Sequence, residues 1–172
     1  VLSHNAFWFQ GVPFEGDMPP GPDLAVLRRL SAIYRATDPQ VICLQEVQTR
    51  EVFEILSDHL GMSGCYCPGT VLPQYGGAVF WQPHCGRPIR SSQESAVKTQ
   101  RMWQVVEVEG DDYCLLLCNL HLPSKRQLGR ERAAAQRLVE LQDVIRCCDA
   151  GAAIVVGDFN EQPGETTGDY LG

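Results

Sequence analysis

The chain has 172 residues, 44% of them hydrophobic and 20% charged, with a formal net charge of −7 and a pI of about 5.0. That length suits one domain over residues 1–172 with a core of its own, the composition excludes disordered and fibrous classes, and no apolar run approaches the roughly 20 residues of a membrane-spanning helix. The acidity argues against broad, charge-driven adhesion to nucleic acid, while leaving room for a local basic rim or for a divalent cation that supplies positive charge at a phosphate site.

Residues 1–9 are β-prone, and the Gly- and Pro-rich stretch over 11–22 predicts a loop. Asp23 suits a helix N-cap, with Leu24, Leu27, Leu30, Ile33 and Tyr34 at the three-and-four spacing of one buried face and Asp38-Pro39 at its end. The apolar run Val41-Ile42-Cys43-Leu44 predicts a strand buried on both faces that delivers Gln45 and Glu46 at its carboxyl end. A second helix is expected over residues 49–60, stopped by Gly61. Strands are predicted over 65–67, 78–82, 103–109 and 113–121, with Glu109-Gly110-Asp111-Asp112 turning a hairpin between the last two. A long amphipathic helix over 130–148 should bury Ala134, Leu138, Leu141 and Ile145, and a strand over 153–156 presents Gly157-Asp158-Phe159-Asn160. Helices alternating with strands, then several strands in succession, argue an α/β fold of sheets flanked by helices.

The cysteines number eight, yet Cys43, Cys114 and Cys118 lie in apolar strand-like runs, where a free thiol behaves as a small hydrophobe, and Cys65-x-Cys67 lacks the partner pair of a zinc site. Reduced thiols and an intracellular setting are the expectation. Val1 in place of a methionine and the uncapped ending Tyr170-Leu171-Gly172 read as cuts, so a targeting segment upstream would not be visible.

Several polar residues stand where apolar strands end. Asp158 and Asn160 flank Phe159, and a strand's period of two would put both side chains on one side, beside a Gly157 that permits close approach; turn chemistry is the rival reading. A carboxylate can align and deprotonate a water while an amide donates to a phosphate oxygen, which are two tasks of phosphoester hydrolysis. Glu46 is placed to hold a hard cation, or is a solvated loop residue. Asn5, Asn119 and His121 sit on strands, where a structural hydrogen-bonding role competes with a functional one. Lys125, Arg126, Arg130 and Arg132 form a basic cluster, and Lys98 with Arg101 another; such charges are usually a solvated face, but Lys125 and Arg126 follow the His121 strand directly and are candidates for rim contacts to phosphate. His84 sits in a turn-like context with no ligand partner, and Ser57-Asp58-His59 falls within the second predicted helix, where His59 suits the helix end.

The order of these pieces resembles the endonuclease/exonuclease/phosphatase superfamily: Asn5 on the first strand, Leu44-Gln45-Glu46-Val47, Gly76-Gly77-Ala78-Val79-Phe80, Asn119-Leu120-His121-Leu122, and Gly157-Asp158-Phe159-Asn160 with Pro163 beyond. The ending is similar to the Gly-Asp-Phe-Asn-x-x-Pro branches, which include deadenylase-like nucleases and sphingomyelinase-like enzymes. The resemblance implies a four-layer α/β/β/α sandwich of the DNase I-like type, incomplete at the carboxyl end because no Ser-Asp-His segment follows Asn160. It implies that Glu46 is the principal Mg2+ ligand, with Mn2+ as an alternative ion and Asn5 beside the metal. It also implies that Asp158 activates the attacking water, that Asn160 holds the scissile phosphate and His121 hydrogen-bonds to it, and that Asn119, Lys125 and Arg126 lie on the substrate side. The expected activity is metal-dependent hydrolysis of a phosphoester, in nucleic acid or in a phospholipid or small phosphorylated molecule. This chain alone is expected to be inactive, and the oligomeric state is left open. A catalytically inactive relative that serves as a binding module is the alternative.

Overall fold

The computed structural model describes residues 1–16, 18–92, 99–110, 112–148 and 153–162. Strand β1 (Leu2–Asn5) pairs in parallel with β2 (Val41–Val47), and the crossover between them is helix α1 (Leu24–Ala36). The Asp23 carboxylate starts α1 by accepting the backbone N–H groups of Ala25 and Val26 at 2.7 and 3.2 Å, satisfying donors that have no partner inside the helix. Helix α2 (Arg50–Leu60) is capped by the Thr49 hydroxyl and stops at Gly61, whose φ of 66° is the left-handed conformation glycine tolerates. Strands β3 (Ser63–Cys67) and β4 (Gly76–Trp81) complete a sheet in the order β1-β2-β4-β3. A second sheet, β5-β6-β7-β8, is built from β5 (Arg87–Ser92), β6 (Met102–Glu109), β7 (Cys114–His121) and β8 (Ala153–Asp158). Between β7 and β8 run the short helix α3 (Lys125–Leu128) and the long helix α4 (Arg130–Cys147), and β8 returns parallel to β7.

Side-chain alternation sorts the strands into layers. Ile42, Leu44 and Phe80 face Leu27 and Tyr34 of α1 and Leu56 of α2. Val41, Cys43, Val79 and Trp81 meet Val106, Val108 and Leu117 between the two sheets. On the far side, Leu116, Cys118 and Leu120 pack against Leu141 and Val144 of α4. The sandwich therefore stacks helix, sheet, sheet, helix, as expected from the sequence. None of the eight cysteines is in a disulfide among the described residues. No helix among the described residues is long and apolar enough to cross a membrane.

The structure departs from the sequence reading in several places. The first strand ends at Asn5, four residues early, because Phe7, Trp8 and Phe9 adopt φ of 48°, 50° and 57° and turn the chain away from extended geometry. β5 has no apolar alternation and contains Pro88, as edge strands often do, so it left no periodic signal. β3 begins at Ser63, two residues before the expected start.

The last departure concerns α4, whose buried face is rotated. Ala134, Leu138 and Ile145 are half-buried, while Ala133, Arg137, Glu140, Leu141, Asp143 and Val144 are buried. The charged members are buried with partners: Arg137 donates to the Pro123 carbonyl at 3.0 Å and to Glu161 at 2.6 Å, and Glu140 accepts from the Gln100 N–H at 2.7 Å and from Gln136 at 2.9 Å. Ser57-Asp58-His59 does lie within α2, where the Ser57 hydroxyl donates to the Met62 carbonyl at 2.7 Å. Lys98, Asp111 and Pro163 lie outside the described residues.

Candidate active site

The carboxyl ends of the two parallel pairs, β1 with β2 and β7 with β8, bring Asn5, Glu46, His121 and Asp158 together. Glu46 reaches this place through a bulge. Gln45 pairs with Gly77 and Val47 with Gly76, so Glu46 is the extra residue, and its φ is 60°. Regular alternation would have sent Glu46 toward α1 and α2 alongside Leu44; the bulge re-aims it while Val47 keeps the apolar layer intact. At the end of β8, Gly157 has φ of 146°, and a Cβ there would lie 1.9 Å from the Leu120 carbonyl oxygen, so only glycine lets β8 approach β7 this closely.

Asp158 is held on both oxygens. Its Oδ2 accepts from Asn5 Nδ2 at 2.8 Å, and its Oδ1 accepts the Asn160 backbone N–H at 2.9 Å. β8 has already ended at Asp158 and Asn160 has φ of 52°, so this short turn, and not strand alternation, sets the relation between the two side chains. The Asn160 amide donates to the Leu122 carbonyl at 2.8 Å, fastening the turn to the end of β7.

Glu46 and His121 meet at a residue the sequence reading had left on a solvated face. Arg101, immediately before β6, is 7% exposed. Its guanidinium Nη1 lies 2.8 Å from His121 Nε2 and 3.3 Å from Glu46 Oε1, and its carbon lies 4.2 Å from the Tyr75 ring centroid. A guanidinium only donates, so His121 Nε2 must accept and its proton resides on Nδ1. Burial first, then the Arg101 charge, lowers the His121 pKa well below 6.5, although Asp158 opposes this, so the ring is neutral. In this arrangement the positive donors come from Arg101, and His121 orients them.

Burial raises the Glu46 pKa to about 7, and the charge of Asp158 adds to that; the nearby Asn5 amide and the charge and hydrogen bond of Arg101 pull it down. Glu46 Oε2 is buried with no hydrogen-bond partner among the described residues. An orphaned carboxylate oxygen beside a second carboxylate is a pair of hard donors that suits a small divalent cation, while the Asn5 amide turns its nitrogen to Asp158 and its oxygen to the Phe7 N–H. No group of three or more His, Cys, Asp or Glu side chains arranged to enclose an ion occurs among the described residues. Two carboxylates are the share of ligands that a protein commonly supplies to Mg2+, with water and substrate phosphate completing the shell.

A cleft of about 540 Å³ opens over this centre, lined by Glu46, Arg101 and Arg126 and by Phe7, Trp8 and Phe14. Lys125 and Arg126 are exposed on α3, and Arg126 reaches the cleft. Asn119 does not. It is fully buried between the sheets, donating to the Leu44 carbonyl at 2.9 Å and accepting from Gln45 Nε2 at 2.7 Å, so its placement on the substrate side is corrected to a bridge between sheets. Arg101 was nonetheless within reach of sequence arithmetic. The hairpin turn pairs Glu109 with Cys114 and hence Met102 with His121, which places Arg101 next to the histidine.

The model of the Endonuclease/Exonuclease/phosphatase family matches residues 2–171. Among solved structures, a D. rerio TDP2 humanized by 14 mutations superposes with a TM-score of 0.63 at 18% identity, covering 79% of this chain and 58% of that one. The human Nocturnin catalytic domain with bound sulfate gives 0.61 at 22% identity, covering 84% and 60%. ANGEL2, described as a 2',3'-cyclic phosphatase in complex with adenosine-2',3'-vanadate, gives 0.68 at 18% identity, covering 83% and 46%. At these identities the likeness is one of fold, and the chain spans about three fifths of the first two structures and less of the third. No curated protein matches it.

Proposed function

This chain belongs to the endonuclease/exonuclease/phosphatase family, and from that membership and the geometry of its polar centre we propose that its protein hydrolyses phosphoester bonds with the help of Mg2+ or Mn2+. The observation that carries this reading is Glu46: one carboxylate oxygen is held by Arg101, the other is buried and open, and Asn5 and Asp158 adjoin it. A cation held by Glu46 with Asn5 beside it would neutralise charge on the phosphate. Asp158, whose side chain keeps 30% exposure, accepts the proton of the attacking water as its oxygen bonds to phosphorus, and Asn5 fixes the carboxylate's orientation. Arg101 offers permanent charge to the equatorial oxygens while neutral His121 holds it in place. The ester oxygen departs and takes a proton from solvent, Asp158 later releasing its own, and Asn160 secures the turn that presents Asp158. The free thiols support an intracellular setting as part of the proposal.

The test pairs binding with turnover. Mg2+ should raise the melting temperature of the wild type and leave that of Glu46→Gln unmoved, since a ligand that binds only the folded state stabilises it. A panel of single-stranded oligonucleotide, sphingomyelin and inositol phosphates should show Mg2+-dependent phosphoester hydrolysis that Asp158→Asn lowers by roughly a thousandfold in kcat. Absence of both the thermal shift and turnover in the whole protein would replace this reading with that of a binding module.

A further inference from the structure

If the scissile phosphate sits against Glu46, Arg101 and Asp158, one wall of the cleft has no part in that chemistry. Phe7, Trp8 and Phe14 form a continuous aromatic face, with ring centroids 5.5 Å apart for Phe7 and Trp8, 5.8 Å for Phe7 and Phe14, and 5.6 Å for Trp8 and Phe14. Tyr75 closes the face at 5.1 Å from Trp8. Two of these rings have structural duties. Trp8 is 7% exposed and its indole N–H donates to the Gln74 carbonyl at 2.8 Å, and Tyr75 lies under the Arg101 guanidinium.

The other two rings are open to the cleft. Phe7 is 39% exposed and Phe14 is half-buried, and both line the same space as Glu46. The backbone that displays them is strained, because Phe7, Trp8 and Phe9 are three consecutive non-glycine residues in the left-handed region. Such conformations gather at functional sites, where the surrounding structure enforces them. Here the enforcing bonds are visible. The Phe7 N–H donates at 2.9 Å to Asn5 Oδ1, and the same Asn5 amide donates to Asp158 at 2.8 Å, so the distance from aromatic wall to reacting groups is fixed through one side chain.

We infer that Phe7 and Phe14 form a stacking subsite for a planar heteroaromatic ring carried on the scissile phosphate, so that the preferred substrates are phosphoesters of nucleosides with an unpaired base. This rests on the phosphoester reading above and narrows it. A cleft of about 540 Å³ lies within the usual range of small-ligand sites and admits a nucleotide. Ring faces stack on any base, whereas a base inside a duplex has no free face to offer. Ser124, Arg126 and Gln127 line the same cleft; Ser124 and Arg126 offer donors suited to base edges and phosphate oxygens, while the Gln127 amide donates to the Tyr75 hydroxyl at 3.2 Å. An acyl chain fits less well, because it would strip water from those polar groups without replacing their hydrogen bonds.

Two measurements separate this subsite from the hydrolytic reading. Calorimetry with adenosine 5'-monophosphate and ribose 5-phosphate, in Mg2+, isolates the base. The nucleotide should bind roughly five- to a hundredfold more tightly, the usual worth of one base stacked on an aromatic ring. The Phe7→Leu/Phe14→Leu double variant should bring that ratio close to one, while Phe7→Tyr/Phe14→Tyr, which keeps the ring faces, should preserve it. In turnover, a single-stranded oligonucleotide should be preferred over one of the same length with abasic sites. Equal binding of the two probes by the wild type overturns the subsite without need of any variant, as does retention of the ratio by the leucine variant or preference for a phospholipid. Base-dependent binding without hydrolysis of any substrate would keep the subsite and sink the hydrolytic reading. Hydrolysis with no base preference would do the reverse.

Discussion

Arg101 shows how one buried side chain can set the character of a site. It faces Glu46, His121 and the Tyr75 ring at once, and its pairing to Glu46 is buried, with side-chain exposures of 8% and 6%. Removing one partner of a buried pair leaves the other desolvated. Arg101→Met should therefore cost roughly 3 kcal/mol of stability in urea denaturation. Arg101→Lys should recover only part of this, because a single ammonium does not reproduce the planar fork. A loss below about 0.5 kcal/mol for Arg101→Met would show that Glu46 simply protonates and needs no partner. At this scale the sequence was legible where chemistry stands at a strand end, as with Glu46, Asp158 and Asn5. For Arg101 it was legible only through the hairpin register, because a cation ahead of an apolar strand looks like any solvated residue until strand pairing sets it beside His121.

Helix α4 and strand β8 carry the lessons of the element scale. The expected helix formed, but its buried face shifted, because Arg137 and Glu140 bond to loops that approach from outside the helix and no periodicity within it records those partners. Glu140 offers a pH test. Burial raises its folded pKa above the ordinary 4.5, so between those two values the folded state holds a proton that the unfolded chain has released. The stability this contributes is present below about pH 4.5 and is lost as pH rises through the folded value. Glu140→Gln stays neutral throughout, so the wild type should lose stability relative to it from about pH 4.5 upward, as read by denaturation midpoints. A difference that stays flat, or grows in favour of the wild type, would contradict the assignment. In β8, Gly157→Ala should destabilise by roughly 2 kcal/mol or more, because both the positive φ and the Leu120 carbonyl oppose a Cβ. Gly157 was legible as a point of close approach; the left-handed turn at Asn160 was not, since either strand alternation or a turn could have followed Asp158.

At the scale of the molecule, the two sheets meet across apolar side chains and a few amides, those of Asn119, Gln45 and Gln104. Asn119 bonds to Leu44, Ala78 and Gln45 of the opposite sheet. Asn119→Ala strands these groups in a dry interface, and should cost about 2 to 3 kcal/mol while leaving a single cooperative transition in urea. Separate transitions by fluorescence and circular dichroism would show instead that the sheets unfold independently. The four-layer architecture was readable from the alternation of helix and strand patterns, whereas the bridging role of Asn119 depended on which sheet its strand would face.

The polar centre draws Asn5 and Glu46 from one sheet and His121 and Asp158 from the other, and Asn5 and Asp158 stand 153 positions apart in the chain. Neither half of the polypeptide can hold this centre alone. A chain still emerging from synthesis, or caught half-unfolded, thus lacks the assembled centre. Recovery of the proposed activity during refolding would then time the docking of the sheets, an event later than the formation of either one.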